Sequence, residues 1–246
     1  MKLSLSVFRA PRAVSFLLGL AVLLPVARAT NTVGNVYSGQ AAAVHIVGVV
    51  NPPGLNPIAI AETGELGVNG GAKPALQHNV NLAGGGLTAA QAGSLAAGGF
   101  NQSLSVSSLT NFHAEFVTEH GDHLTIEADS ICAAASAGGS SAGRLNADVK
   151  VQIRGLRING VAVAVTGQPN QVILVGESRI ILNEQTVVEE RTNADAAVTA
   201  IHFYTCQCIE GWLARVDAGF TLTEKPTQDC YERACRERAD RCSHHH

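Results

Sequence analysis

Histidine and carboxylate side chains crowd one short stretch near the middle of the chain. The residues are His113, Glu115, Glu119, His120, Asp122 and His123. On a β-hairpin that turns at residues 120–122, His113 and Glu115 would share a strand face, and His120 and His123 would flank the turn. Imidazole and carboxylate ligands suit zinc or copper, so a metal site formed by His113, Glu115, His120, Asp122 and His123 is one hypothesis. The alternative, which we prefer, is a polar strand face with a solvated turn.

The chain has six cysteines: Cys132, Cys206, Cys208, Cys230, Cys235 and Cys242. In an exported protein they are expected to form disulfides. On a helix, Cys235 and Cys242 would lie roughly 10 Å apart along the axis, too far to bridge. On a strand, Cys206 and Cys208 would point to the same side and would not bridge each other. We therefore expect Cys206 and Cys208 to form disulfides with cysteines of the tail, and Cys132 to form a disulfide with the tail cysteine that remains. A Cys/His metal site and free thiols stay open as alternatives.

A third motif has the letters of a nucleophile elbow. Residues 139–143 read Gly-Ser-Ser-Ala-Gly, but a G-x-S-x-G elbow needs a buried strand before the serine and a helix after it. Here an Ala/Gly loop precedes the motif and a strand follows it, so chance explains the match. The sequence contains no P-loop, dinucleotide fingerprint or HExxH motif. It therefore predicts no catalytic residue and no cofactor, and the chain is not expected to be an enzyme.

The first 29 residues have the form of a signal peptide. Lys2, Arg9 and Arg12 precede an apolar stretch, and Ala27-Arg28-Ala29 is an A-x-A cleavage site. The alternative is a retained membrane anchor, but the apolar stretch is short of the roughly 20 residues that a span needs. No later apolar run is long enough to cross a bilayer. We expect a mature chain that begins near Thr30 and is secreted or held at the cell surface.

Charge and composition exclude several classes of partner. The full chain has 17 Lys and Arg and 20 Asp and Glu, a net charge of −3. The signal peptide holds four of the basic residues and no acidic residue, so the mature chain has 13 basic and 20 acidic residues, a net charge of −7. An acidic domain with few basic clusters is a poor candidate for binding nucleic acid. Aromatic residues make up 4% of the chain, which disfavours an aromatic carbohydrate platform.

The elements that would position these residues are best defined from Leu145 to Gln185. Apolar and polar residues alternate from Leu145 to Arg154, which is the pattern of a strand with one buried face. The alternation slips by one residue at Gly155, which indicates a bulge or bend. Asn159-Gly160 predicts a type I′ hairpin turn, with Val161, Val163 and Val165 on the returning strand. A second strand pair runs from Val172 to Val188 and turns at Gly176.

The remaining segments are assigned from shorter patterns. Most are expected to be strands of a single all-β domain, an antiparallel β-sandwich or open barrel with long Gly-rich loops. The other segments are Thr30–Gln40 (a polar leader), Asn51–Leu82 (irregular edge strands or a loop), Leu87–Ala97 (a short helix or surface connection) and Ala133–Gly143 (a small-residue loop). The β domain is expected to span residues 30–226. Residues 227–246 form a Cys/Arg-rich tail, predicted to be a short helix linked to the β domain by disulfides.

Several motifs of these strands resemble the choice-of-anchor P family of secreted bacterial proteins. They are Gly155–Val161 with Val163, Ile181–Gln185, Ala200-Ile201-His202 and Ala128–Cys132. The likeness covers Ala41 to Tyr204 and lies in the order of the motifs more than in any one of them. It implies an exported β-rich domain held at the cell surface by different C-terminal anchors, and it supplies no activity. The chain departs from the family after Pro226, where it has neither an LPxTG-like signal nor a hydrophobic tail.

Two hypotheses of function follow from the sequence. The first is an exported cell-surface or extracellular structural or interaction β domain without catalytic activity. Its partners would be another extracellular protein, or copies of itself through exposed strand edges. The second is an extracellular metal-binding or hydrolytic domain that uses the His113–His123 hairpin.

Overall fold

The computed structural model describes residues 34–48, 57–82, 86–117, 123–139, 144–205 and 209–223. Within these ranges the chain forms strands and no helix. The strands are β1 (Val36–Val47), β2 (Ile58–Glu62), β3 (Gly71–Leu82), β4 (Leu87–Gly99), β5 (Gln102–Val117), β6 (His123–Gly139), β7 (Leu145–Arg154), β8 (Arg157–Ile158), β9 (Val161–Ala162), β10 (Gln171–Val175), β11 (Ser178–Glu189), β12 (Asn193–Tyr204) and β13 (Glu210–Thr221).

Two antiparallel sheets pack face to face and do not close into a barrel. Sheet A has the strand order β10-β11-β12-β13-β1-β2. Sheet B has the order β3-β4-β5-β6-β8-β9, and β7 pairs with β6 beside β8. The predicted all-β class is therefore confirmed, and of the two predicted architectures, sandwich or open barrel, the structure is consistent with the sandwich. In the part of the chain that the structure describes, no helix is long and apolar enough to cross a membrane.

The long strands change the face that they bury near their midpoints. In β12 the core residues are Ala194, Ala196 and Val198 before the change, and Ile201 and Phe203 after it. Neighbouring strands change face at the same level of the sheet, so the residue pairing has the same register on both sides of the change. We call the row of positions at which the strands change face the slip line. Non-glycine residues with left-handed φ lie along it on alternate strands: Ala61 (50°), Asn79 (50°), Asn111 (47°), Asn183 (55°) and Ala214 (51°). The slip predicted at Gly155, where φ is 65°, belongs to the same line.

The slip line divides the core into two halves of different composition. One half is filled by large side chains, including Phe112, Ile126, Phe203 and Leu213. In the other half, alanine, serine and glycine predominate, so the two sheets approach closely. A Cβ atom added to Gly39 on β1 would lie 2.9 Å from Ser105 Oγ on β5. The small residues are therefore required by the distance between the sheets.

Two buried serines on β5 predict opposite effects of the same substitution. Ser105 Oγ is buried and has no hydrogen-bond partner, whereas Ser103 Oγ donates to the carbonyl oxygen of Ser38 at 2.5 Å. We expect Ser105→Ala to raise the free energy of unfolding by about 1 kcal/mol and Ser103→Ala to lower it by about 1 kcal/mol. Urea denaturation of both variants measures the difference. A loss of stability in Ser105→Ala as large as that in Ser103→Ala would contradict this.

The central hairpins agree with the sequence predictions. Asn159 and Gly160 have φ values of 49° and 74° and turn β8 into β9, as expected of a type I′ turn. Gly176, with φ at 56°, turns β10 into β11 as predicted. The returning strand is shorter than predicted, because β9 ends at Ala162. Val163 and Val165 instead pack against the core from an irregular segment.

Three other predictions were wrong. Leu87–Ala97 is neither a helix nor a surface connection but lies in the strand β4. The expected loop Ala133–Gly143 is strand as far as Gly139, and the expected polar leader Thr30–Gln40 enters β1 at Val36. Leu87–Ala97 and Ala133–Gly143 are rich in Ala, Gly or Ser, which have weak β propensity. The close approach of the sheets selects them as strands nonetheless. In Asn51–Leu82, the described part forms the edge strands β2 and β3. The predicted signal peptide (residues 1–29) and tail (residues 227–246) lie outside the described residues.

Candidate functional site

A buried histidine on the outer face of sheet A joins three strands. Beyond the slip line in β12, Ile201 and Phe203 face the core, so His202 faces outward. It is nevertheless only 5% exposed. Its Nδ1 lies 2.6 Å from Glu184 Oε2 on β11, and its Nε2 lies 2.9 Å from Glu210 Oε1 on β13. We call His202, Glu184 and Glu210 the histidine clamp.

The geometry of the clamp defines its chemistry. A neutral imidazole has one donor and one acceptor nitrogen, whereas an ionised carboxylate only accepts. Each ring nitrogen has a carboxylate oxygen within hydrogen-bond distance, and a hydrogen bond to an ionised carboxylate is charge-assisted. Both ring nitrogens are thus engaged by side chains of neighbouring strands. The arrangement is therefore suited to cross-linking strands.

Aromatic rings extend the clamp across the sheet. The Trp212 ring on β13 stacks on His202 with centroids 5.1 Å apart, and His45 on β1 meets Trp212 from the other side at 5.6 Å. The Tyr204 ring lies 4.3 Å from His202. Burial, followed by the negative charges of Glu210 and Glu184, raises the pKa of Tyr204. The row fixes Trp212 in the middle of the outer face.

An open polar groove runs beside this row. A cavity of about 330 Å³ is lined by Glu184, Thr186, Thr199, Trp212, Arg215 and Asp217, among others. A smaller cavity of about 160 Å³ lies beyond Arg215 and includes His45 and Glu62. The Arg215 guanidinium separates the two and lies 5.5 Å from the centroid of the Trp212 ring, in reach of a cation–π interaction. These volumes are at or below the low end for ligand pockets.

Asp217, on the wall of the groove, gives the site a dependence on pH. Burial raises the pKa of its carboxyl, and hydrogen bonding to Gln40 and the charge of Arg215 oppose the shift. Between the ordinary and the raised pKa the folded chain binds more protons than the unfolded chain, so the contribution of Asp217 to stability falls as the pH rises through this window.

We expect Asp217→Asn to remove this fall, and to make the chain more stable than the wild type above the window but not below it. Urea denaturation at several values from about pH 3 to pH 7 tests this. Asp148→Asn, at a largely exposed position on β7, is the control. A stability difference between Asp217→Asn and the wild type that is constant with pH would contradict the assignment.

The histidines of the predicted metal hairpin form separate pairs on the outer face of sheet B. His113 Nδ1 lies 3.3 Å from Glu127 Oε1, and His123 Nδ1 lies 3.2 Å from Glu115 Oε1. Glu127 is a partner that the sequence analysis missed. Among the described residues, no group of three or more His, Cys, Asp or Glu side chains is placed to hold a metal ion. His120 and Asp122 lie outside those residues, so the metal site stays the alternative hypothesis to a polar strand face with a solvated turn.

Cys132 is a free, half-buried thiol, and it lies on β6 between the inward-facing Ile131 and Ala133. Burial raises the pKa of this thiol. The other cysteines, Cys206, Cys208, Cys230, Cys235 and Cys242, lie outside the described residues. The disulfide link between the tail and the β domain therefore stays a prediction.

The sequence analysis missed the clamp, although one signal for it was present. The segment between His202 and Trp212 is short, and antiparallel pairing across it places Tyr204 opposite Glu210 and His202 opposite Trp212. When polar or aromatic residues lie two positions apart on both strands that flank a short connection, antiparallel pairing brings their side chains together on one face of the sheet.

No family model, curated protein or solved structure matches the chain. The function of the molecule is therefore inferred from its own residues.

Proposed function

We propose that the chain is an exported structural or interaction β domain without catalytic activity, secreted or held at the cell surface like the choice-of-anchor P proteins that it resembles. The observation that carries this proposal is the free edge of β10. This strand is the outermost strand of sheet A, and its sequence, Gln-Val-Ile-Leu-Val, has no charge and no proline. Val172 is 48% exposed and Leu174 is 74% exposed.

Other edge strands in the described part of the chain are protected against pairing with another molecule. β2, at the opposite edge of sheet A, carries Glu62. β3 carries Lys73 and Pro74, β7 carries Asp148 and Lys150, and β9 has two residues. Charges, proline and shortness are the usual devices that keep an edge from adding a strand. An edge of sheet A that lacks charge and proline therefore favours strand addition to a partner.

The histidine clamp supports a role without catalysis. Glu184 and Glu210 each contact a nitrogen of His202, and the His202 ring packs against Trp212 and Tyr204. The clamp ties β12 to both of its neighbours, β11 and β13, and β11 is the strand to which β10 pairs. A rigid sheet that ends in an exposed apolar strand is a suitable scaffold for binding another protein.

Photo-crosslinking in cells that export the chain tests this function. A photoreactive phenylalanine analogue at position 174 is expected to form protein adducts, and the same analogue at position 68 is not. Val68 is the matched control because it is 61% exposed but lies in the connection between β2 and β3. Adducts at position 174 should disappear when Val172→Lys is added. Recovery of the chain in the cytosol, or no adduct at position 174, would refute the proposal.

A further inference from the structure

We propose that the partner at the edge of β10 is a second copy of this chain, paired antiparallel so that sheet A continues from one molecule into the other. The inference rests on the proposed function, because it names the occupant of the same edge. It depends on the direction of the free hydrogen-bonding groups, on the symmetry of the strand and on its side chains.

The pairing of β10 with β11 determines which backbone groups are free. Val175 pairs with Ser178 around a two-residue turn, and the residues that close such a turn exchange hydrogen bonds. In antiparallel pairing bonded and non-bonded pairs alternate, so Ile173 also bonds to β11. Val172 and Leu174 therefore direct their N–H and C=O groups outward. Among the described residues, no backbone hydrogen bond outside the strand ladders involves Val172 or Leu174.

The strand is complementary to itself about Ile173. In an antiparallel pair with a two-fold axis at Ile173, Val172 lies opposite Leu174 of the partner subunit, and Leu174 lies opposite the partner's Val172. The free N–H and C=O groups of all four residues point toward the other copy, so the two residues of each pair can exchange N–H···O=C bonds in both directions. A shift by one residue would place outward groups against inward groups. The backbone thus excludes odd shifts, and the register about Ile173 is the one that pairs both outward residues of each copy. The resulting interface is isologous.

The side chains favour the same pairing. The exposed side chains of Val172 and Leu174 would lie next to the partner's Leu174 and the partner's Val172 on the same face of the continued sheet. The contact would therefore bury apolar surface of both copies. No charge on β10 opposes this contact. The mature chain carries a net charge of −7 by the count of its residues, so two copies repel one another at long range and salt should strengthen the dimer.

The size of the contact predicts a weak dimer. A pair of five-residue strands buries less than the roughly 1,200 Å² at which stable interfaces begin. We expect association in the range of hundreds of micromolar, which suits molecules concentrated on a surface rather than free in dilute solution.

Sedimentation of the mature chain between about 10 and 500 µM, at low and high salt, tests the inference. We expect a monomer–dimer equilibrium that strengthens with salt and is weakened about tenfold or more by Leu174→Lys, which places like charges across the axis. Val172→Pro removes an outward N–H while leaving the bonds to β11, and should also weaken the dimer. Val161→Lys, at a 69% exposed position on β9, is the control. Non-reducing gels exclude dimers made by disulfides, and circular dichroism confirms that each variant is folded.

The two proposals fail in different ways. A chain that stays monomeric at the highest concentration, or a dimer that Leu174→Lys leaves intact, would refute the second copy as the occupant. If position 174 still crosslinks to a different exported protein, the interaction function stands and the occupant is that protein. If position 174 forms no adduct and the chain stays monomeric, both proposals fail.

Discussion

Gly211→Ala is expected to lower the free energy of unfolding by about 3 kcal/mol. Gly211 on β13 lies directly opposite Phe203 on β12. A Cβ atom at this position would lie 2.2 Å from Phe203 Cζ and 2.4 Å from its Cε1, far inside contact distance. Phe203 is fully buried and also packs on Phe116 of sheet B, with centroids 4.9 Å apart. The ring therefore cannot move aside without displacing the core between the two sheets.

Gly67→Ala is the matched control for this substitution. Gly67 has no atom within 4 Å of an added Cβ and does not have a left-handed φ, so its replacement should change stability by less than about 0.5 kcal/mol. Urea denaturation of both variants gives the comparison. Adding Phe203→Leu to Gly211→Ala should cost less than the sum of the two single changes, because the smaller side chain makes room for the methyl group. Strict additivity would show that the clash with Phe203 is not the cause.

The strands that can be predicted from the sequence are those whose outer face is polar and exposed to solvent. In β7, the partly buried Leu145 and Val149 alternate with the exposed Asn146 and Lys150, and this contrast identifies a strand. In β4, the sequence Leu-Thr-Ala-Ala-Gln-Ala-Gly-Ser-Leu-Ala-Ala-Gly-Gly puts small residues on both faces. The backbone of β4 alternates like that of any strand, but its two faces differ little in polarity, so the sequence pattern does not identify the strand. Small residues at the inner face follow from the spacing of the sheets, which is a property of the whole fold.

The slip line explains why the outward face of His202 does not follow from alternation along its strand. The slip at Gly155 is predicted because the apolar alternation changes phase there, at a glycine, which is the usual residue for left-handed φ. At Ala61 and Ala214 the same conformation is taken by alanine, which carries no such signal. After each slip the residues that face outward change, so strict alternation along β12 assigns His202 to the wrong face. Glu184 and His202 are also distant in sequence, and only the register of β11 with β12 brings them together.

His202→Ala is expected to lower the free energy of unfolding by about 3 kcal/mol. The substitution removes two hydrogen bonds to carboxylates, which typically contribute about 1.5–3 kcal/mol each to stability. The side chains of Glu184 and Glu210 are 40% and 36% exposed, so water partly replaces those bonds and the upper end of that range does not apply. The stacking surface of Trp212 is lost as well, and the buried ring leaves a cavity.

His45→Ala separates the clamp from ordinary contacts on the same face. His45 also meets the Trp212 ring, but its Nδ1 lies 3.9 Å from Glu62 Oε1 and both side chains are more exposed. Its loss should cost about 0.5 kcal/mol or less. In a double-mutant cycle, His202→Ala and Glu184→Gln should be coupled by more than about 0.5 kcal/mol, and His45→Ala and Glu62→Gln by less. If both cycles gave the same coupling, the two carboxylates around His202 would be surface neighbours rather than a clamp. The stiffness of sheet A next to β10 would then have to come from backbone pairing alone.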